Sequence, residues 1–313
     1  MAIPVLAISN RAEDIALGER LAKDNNLPFH STLARDRMRS LLMDFPQSLI
    51  LWDADHAKAL DETNPTSIKS INVILKELSK PQKIFAITDK PLNENKLLSE
   101  IGHFGHHVFR RFESPAPGIL SRLLAASLIG YPFGIQRFVS EATKPRVITL
   151  KDSAQRPAVV QAVQNVFEKT GVPERLAAQI AQASDELLLN SIYSAPPERP
   201  LTDTNLVFPA DKPIELTIAN DEEYSVLCVA DSYGTLKKEV VLSFIRQNFK
   251  NTSFEVEGPR KSGLGLNGVI QSGISLLFIS RPKVRTEVFL FFPRVKNYKD
   301  FRKGFRFLSL LSD

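Results

Sequence analysis

Over roughly the first 115 residues, short apolar runs alternate with stretches whose apolar positions recur at helical spacing. Residues 5–8, 48–53 and 83–88 read as strands, and 107–109 as a shorter one. Between them, 12–24 carries Ile15, Leu17 and Leu21 at helix-like intervals, and 35–43 predicts a second helix. The strands are apolar on both faces, the pattern of a parallel sheet covered by helices on each side. In such sheets ligands gather at the carboxyl ends of the strands. Ser9, Asn10, Asp53 and Thr88 fall there.

The pattern then changes. Pro115 and Pro117 open a turn, 119–128 is an apolar helical stretch, and Gly130, Pro132 and Gly134 make a second turn. Together they read as a connector. Strand 147–150 follows, then helix 158–170, stopped by Gly171, and a longer helix opened by Pro173 that runs from 174 to about 194. After the loop 196–212, strands dominate at 214–218, 225–230, 275–280 and 286–292. Helix 237–248 and a further helix at 266–273 interrupt them. Helices followed by a largely antiparallel sheet predict an α+β two-layer sandwich. The expected organisation is an N-terminal α/β domain at 1–115, a connector at 116–144 and the sandwich at 145–313.

Composition narrows the class. Of 313 residues, 43% are hydrophobic and 24% charged, the balance of a globular chain rather than a disordered one. One cysteine, Cys228, excludes a disulfide framework and a cysteine-rich zinc site. No apolar run has the length of a membrane span, and the first residues lack a secretory pattern, so a cytoplasmic location is expected. The net charge of +5 is modest, but Arg294, Lys296, Lys299, Arg302, Lys303 and Arg306 crowd the end, interleaved with Tyr298, Phe301, Phe305 and Phe307. The expectation is an amphipathic helix whose aromatics dock on its own domain. Nucleic acid as a partner has the least support, because charge balance alone is a weak guide.

Three segments of the second half carry chemistry. Glu186 and Asn190 are four apart on one helix face, where a carboxylate and a carboxamide can hold a divalent cation and orient a hydroxyl. Asp231 ends a strand and is followed by Gly234; an acid there can accept from an exocyclic amino group, or simply cap an Asx turn. Lys261, Gly263 and Gly265 precede a predicted helix, and the paired glycines allow backbone N–H groups to approach phosphate closely. No P-loop or Rossmann fingerprint is present.

In that order and spacing, E-x-x-x-N, the Asp-ended strand with its glycine turn, and G-L-G-L resemble the N box and two glycine boxes of the GHKL ATP-binding fold. That family includes histidine kinases, gyrase-type ATPases, heat-shock chaperones and anti-sigma-factor serine kinases. The resemblance spans roughly 147–293 and takes in Thr286 on a late strand. It implies a Bergerat-type sandwich binding ATP and Mg, with Glu186 as general base and Asn190 as magnesium ligand. It further implies Asp231 and Thr286 at the adenine, Gly234 in the first glycine box, and Lys261, Gly263 and Gly265 at the phosphates. The sequence departs from the pattern where Tyr233 and Thr235 replace glycines of the first box, and where Lys261 begins the second. A lysine near phosphates compensates electrostatically.

His30, His56, His103, His106 and His107 all lie in the first half, and none precedes Glu186 on a helix. This argues against histidine autophosphorylation and leaves a serine/threonine kinase of the anti-sigma type, or a binding module. No acidic or cysteine partner completes a metal site around the last three histidines. The N-terminal domain resembles a response-regulator receiver of flavodoxin-like fold. Asp53 stands at the phosphoacceptor position and Thr88 at the switch hydroxyl. The family's acidic pair is replaced by Ser9-Asn10, and its late lysine is matched only by Arg110 or Arg111. Without the acidic pair magnesium should bind poorly, which makes a pseudo-receiver the expectation. The sequence thus reads as a bacterial two-component-type signalling protein, an atypical receiver coupled to an ATP-binding GHKL domain and an unidentified protein partner, compatible with a homodimer. The competing expectation is a non-catalytic scaffold acting through protein–protein contacts.

Overall fold

The computed structural model describes residues 3–45, 47–55, 73, 83–90, 98, 107–111, 118–129, 132–198, 205–249, 269, 274–294 and 307–312. The chain forms two compact units, 1–129 with 307–309, and 130–306 with 310–313. Among the described residues no helix is long and apolar enough to cross a membrane.

In the N-terminal unit, β1 (Val5–Ile8), β2 (Phe29–Ser31), β3 (Leu49–Asp53), β4 (Lys83–Thr88) and β5 (His107–Arg110) lie in the order β2-β1-β3-β4-β5, and the described pairings among them are parallel. Val5 to Ile8 and Leu49 to Asp53 are buried at every position, as expected where both faces of a parallel sheet are covered. Helix α1 (Ala12–Asp24) turns Asp14, Gly18, Leu21 and Ala22 inward, a stripe at i, i+4, i+7 and i+8. Helix α2 (Arg35–Asp44) buries Met38 and Leu42. The unit runs past residue 115 because helix α3 (Gly118–Ile129) packs on α1 and Ser121 accepts a hydrogen bond from Asn25 Nδ2 at 3.1 Å.

Of the tail expected as a docked amphipathic helix, only Arg294 and Phe307 are described, and Phe307 opens a strand instead. Phe307–Ser312 is a strand, and its first residues pair antiparallel with β5: Phe307 with Phe109, Leu308 with Val108 and Ser309 with His107. Phe307, Leu308 and Ser309 are all buried. A run apolar on successive positions suits a strand buried on both faces better than a one-sided helix. Phe307 stacks on Phe109, and Ser309 Oγ lies 2.7 Å from His107 Nδ1. Of the basic and aromatic residues before it, all but Arg294 lie outside the described residues.

The second unit is built on β6 (Arg146–Leu150), β7 (Ile214–Asn220), β8 (Tyr224–Asp231), β9 (Ser275–Arg281) and β10 (Arg285–Pro293), ordered β9-β10-β8-β7-β6 and antiparallel throughout. Helices α4 (Arg156–Lys169) and α5 (Glu174–Leu189) pack on one another. Phe167 of α4 meets Phe292 of β10 edge-on, which identifies the covered face. Directly paired residues point to the same side and sides alternate along a strand, so that face carries Thr286, Val288, Leu290 and Phe292 with Asp231, Val229, Leu227 and Ser225. The opposite face is covered by the segment before β6, where Phe138 packs on Phe289 and Phe291. The helix expected to reach about 194 stops being α-helical at Leu189; Asn190–Ser194 forms one wider π-helical turn. Helix α6 (Lys238–Phe249) follows β8. Of the helix expected at 266–273, only Val269 is described, and it is helical and buried.

Candidate functional site

At the carboxyl end of the N-terminal sheet, one guanidinium gathers four carboxylates. Arg111, just past β5, donates from Nε and Nη2 to Asp14 at 2.7 and 3.0 Å, and from Nη2 to Asp53 at 3.0 Å. Its Nη1 reaches Asp55 at 3.2 Å and Asp89 at 2.7 Å. Arg11 adds contacts to Asp89 at 2.6 Å and Asp53 at 3.4 Å. The Arg111 side chain is only 8% exposed. Burial opposes its charge, but the carboxylates of Asp14 and Asp89 outweigh that and raise its pKa. For Asp89, burial pushes upward and is overcome by Arg111 and Arg11, which lower its pKa.

Asp53 and Thr88 do meet here. Asp53 accepts from the Asp55 backbone N–H at 3.0 Å, and Thr88 Oγ1 donates to Asp55 at 2.6 Å. Ser9 Oγ donates to Asp14 at 2.7 Å; Asn10 is exposed. Of Arg110 and Arg111, it is Arg111 that enters the cluster. Asp14, Asp55, Asp89 and Arg11 are the residues the sequence reading missed. A signal existed for Asp14, an acid on the apolar stripe of an amphipathic helix, where an unpaired charge is not tolerated. Asp55 and Asp89 lie one or two residues past strand ends and look like ordinary turn acids.

Chemically, the cluster is a set of hard oxygen ligands already shared by a cation of the protein's own making. Among the described residues no group of three His, Cys, Asp or Glu side chains is arranged to hold a metal ion. The donor set around Asp53 does not fit magnesium while Arg111 occupies its centre, since a guanidinium donates five N–H bonds and Mg²⁺ requires those same lone pairs.

In the second unit, Asp231 ends β8 on the helix-covered face and is 4% exposed. Its Oδ1 accepts from Tyr233 N–H at 2.9 Å and Gly234 N–H at 3.4 Å, the Asx-turn geometry. Burial nonetheless pushes its pKa up to about 6, against the pull of those two N–H groups. Thr286 stands directly opposite in register, and Ser280 opposite Thr286. Thr286 favours the ionised carboxylate, while its Oγ1 makes no hydrogen bond of normal geometry among the described residues.

The turn after Asp231 is fixed from two sides. Gly234 adopts φ +60°, and a Cβ there would lie 2.1 Å from the Arg281 carbonyl oxygen and 2.8 Å from two backbone nitrogens of the β9–β10 turn. Gly234 therefore allows two backbones to touch. Thr235 Oγ1 donates to the Ala195 carbonyl at 2.7 Å, tying the same turn to the end of the segment that carries Asn190. Glu186 and Asn190 are half-buried. Burial raises the Glu186 carboxyl, Asp185 adds to this, and a hydrogen bond with Asn190 pulls it back. Asp185 itself is paired with Arg156. Tyr233 lies under the Lys212 ammonium, 5.7 Å from its ring centre. Lys261, Gly263 and Gly265 lie outside the described residues, as do His56, His103 and His106. His107 is a buried residue of β5, and His30 on β2 stacks against Phe45.

A second charged group, also missed, holds the other face. Arg285 reaches Glu215 at 2.9 Å and Glu287 at 2.8 Å, and Glu287 also accepts from Gly134 N–H at 2.8 Å. Cys228 lies on that face too, fully buried, its thiol pKa raised by burial first and by Glu287 next. No protein-family model matches the chain, and no curated protein matches it in sequence.

Proposed function

We propose that this chain is a cytoplasmic, two-component-type signalling protein in which a pseudo-receiver is coupled to an ATP-binding module of GHKL type. One observation carries the reading of the second unit. Asp231 and Thr286 stand in register on the helix-covered face, and the turn after Asp231 is bonded to the segment that carries Asn190. That links the turn after an amino-accepting carboxylate to the segment carrying the Asn/Glu pair, which supports reading them as parts of one site.

In this reading Asp231 accepts from the adenine amino group, and Asn190 would hold magnesium, which supplies charge neutralisation at the phosphates. Glu186, its carboxyl made more basic by burial, takes the proton of a serine or threonine hydroxyl of the partner protein. The hydroxyl oxygen bonds to the γ-phosphorus as the bond to the β-phosphate oxygen breaks, giving a phosphoester and ADP. In the first unit Arg111 acts as a permanent counter-ion for Asp53, so phosphoryl transfer to that residue is not supported. A non-catalytic scaffold is the second reading, favoured by Tyr233 in place of a box glycine and its engagement with Lys212.

Calorimetry with ATP, with and without magnesium, tests the proposal. Binding that strengthens with magnesium and weakens in Asn190→Ala supports the catalytic module. No heat at millimolar nucleotide leaves the scaffold.

A further inference from the structure

Three polar side chains cross the helix-covered face of the second unit in one line. Asp231, Thr286 and Ser280 are successive register partners on β8, β10 and β9, so they share a side and neighbouring Cβ atoms are about 5 Å apart. Each is 4% exposed. The hydroxyls of Thr286 and Ser280 have no hydrogen-bond partner among the described residues. Most buried polar groups are paired, and an unpaired one destabilises the fold. An Ala or Val at 280 would have suited the strand as well. Ser280 also lines a small cavity of about 10 Å³ with Lys238 and the apolar side chains of Leu236, Val241, Phe278 and Leu310. That is room for about one water or one small polar substituent.

We infer that Ser280 is a specificity-determining residue of the nucleotide site, extending the polar edge begun by Asp231 and Thr286 so that a purine meets a hydroxyl as well as a carboxylate along that row. The inference rests on the nucleotide-binding reading and adds a residue that the box resemblance does not contain. A hydroxyl can donate and accept at once, so it serves either a ring nitrogen or a water bound to one. The carboxylate only accepts. The row therefore recognises a ligand that offers a donor at one end and an acceptor along the same edge.

The test exploits opposite signs. Ser280→Ala removes an unpaired buried hydroxyl, so the ligand-free protein should melt roughly 2–4 °C higher. The same substitution removes a hydrogen bond to bound ATP, so its Kd should rise about tenfold. Thr286→Val serves as a second variant with the same expected pair of signs. A raised melting temperature with weaker ATP binding supports the assignment. Unchanged ATP affinity in Ser280→Ala, with wild-type protein binding ATP, overturns it and leaves the nucleotide reading standing. A lower melting temperature together with weaker binding makes Ser280 merely structural and also overturns it. Absence of ATP binding in the wild-type protein removes both readings.

Discussion

Asp231 offers the sharpest test, because its burial predicts a stability change of known sign and pH window. The carboxyl is displaced from the usual aspartate value near 4 to about 6 by burial. A displacement of about two units corresponds to about 3 kcal/mol between the charged and neutral forms. Because the folded value is the higher one, protonation stabilises the fold. That contribution is complete below the unfolded-state value and is lost as pH rises through about 6. Asp231→Asn keeps an Oδ1 to accept from Tyr233 and Gly234 and carries no charge at any pH. The variant should be more stable than wild type by up to about 3 kcal/mol at pH 8, and no more stable at pH 4. For a unit of this size that corresponds to roughly 6–12 °C in melting temperature. Calorimetric or circular-dichroism melting from pH 4 to 8, read as the difference between the two proteins, is the assay. A difference that does not vary with pH, or an asparagine variant less stable at pH 8, refutes the reasoning. The same variant should lose ATP affinity, since an ionised acceptor is what an amino group needs. Gain of stability with loss of binding is the signature of a retained functional charge.

Substitutions at two further positions have outcomes set by the geometry. Gly234→Ala should destabilise the second unit by about 3 kcal/mol or more, because its Cβ would collide with backbone atoms rather than a yielding side chain; denaturant titration checks this, and a change under 1 kcal/mol refutes the close-packing assignment. Arg111→Ala should destabilise the N-terminal unit by about 3–5 kcal/mol at neutral pH, since Asp14, Asp53 and Asp55 would lose their shared buried counter-ion. Arg111→Lys should recover only part of that, because an ammonium cannot reproduce the guanidinium's fork; full recovery in a melting experiment would show that charge alone matters.

Most strands of both units were legible in the chain because burial on one or both faces writes itself into periodicity, whereas the short β2, only half-buried, was not expected. Val5–Ile8, Lys83–Thr88 and the four late strands form within a residue or two of their expected places. The end of the long helix was less legible, since nothing local distinguishes Asn190 in a π turn from Asn190 in an α-helix. Phe307 shows a different limit. A basic, aromatic tail can be written as an amphipathic helix, yet the short run Phe307–Ser309 finds an open strand edge at β5 and pairs with it. Strand pairing depends on which edge is vacant, which no local pattern records.

The candidate sites divide the same way. Asp53, Thr88 and Asp231 could be singled out because a polar residue at the end of an apolar strand stands out against its neighbours, and Thr286 only through the family resemblance. Asp14, Asp55 and Asp89 could not be joined to Arg111 by spacing, nor Ser280 to Thr286, since they come from separate elements. Local physics, the alternation of apolar and polar side chains and the stereochemistry of turns, is carried by neighbouring residues and was readable from the chain. The convergence of four carboxylates on one guanidinium, and of three polar side chains in one row, comes from long-range register and packing. Charges distant in sequence acquire a common fate only when folding removes the water between them.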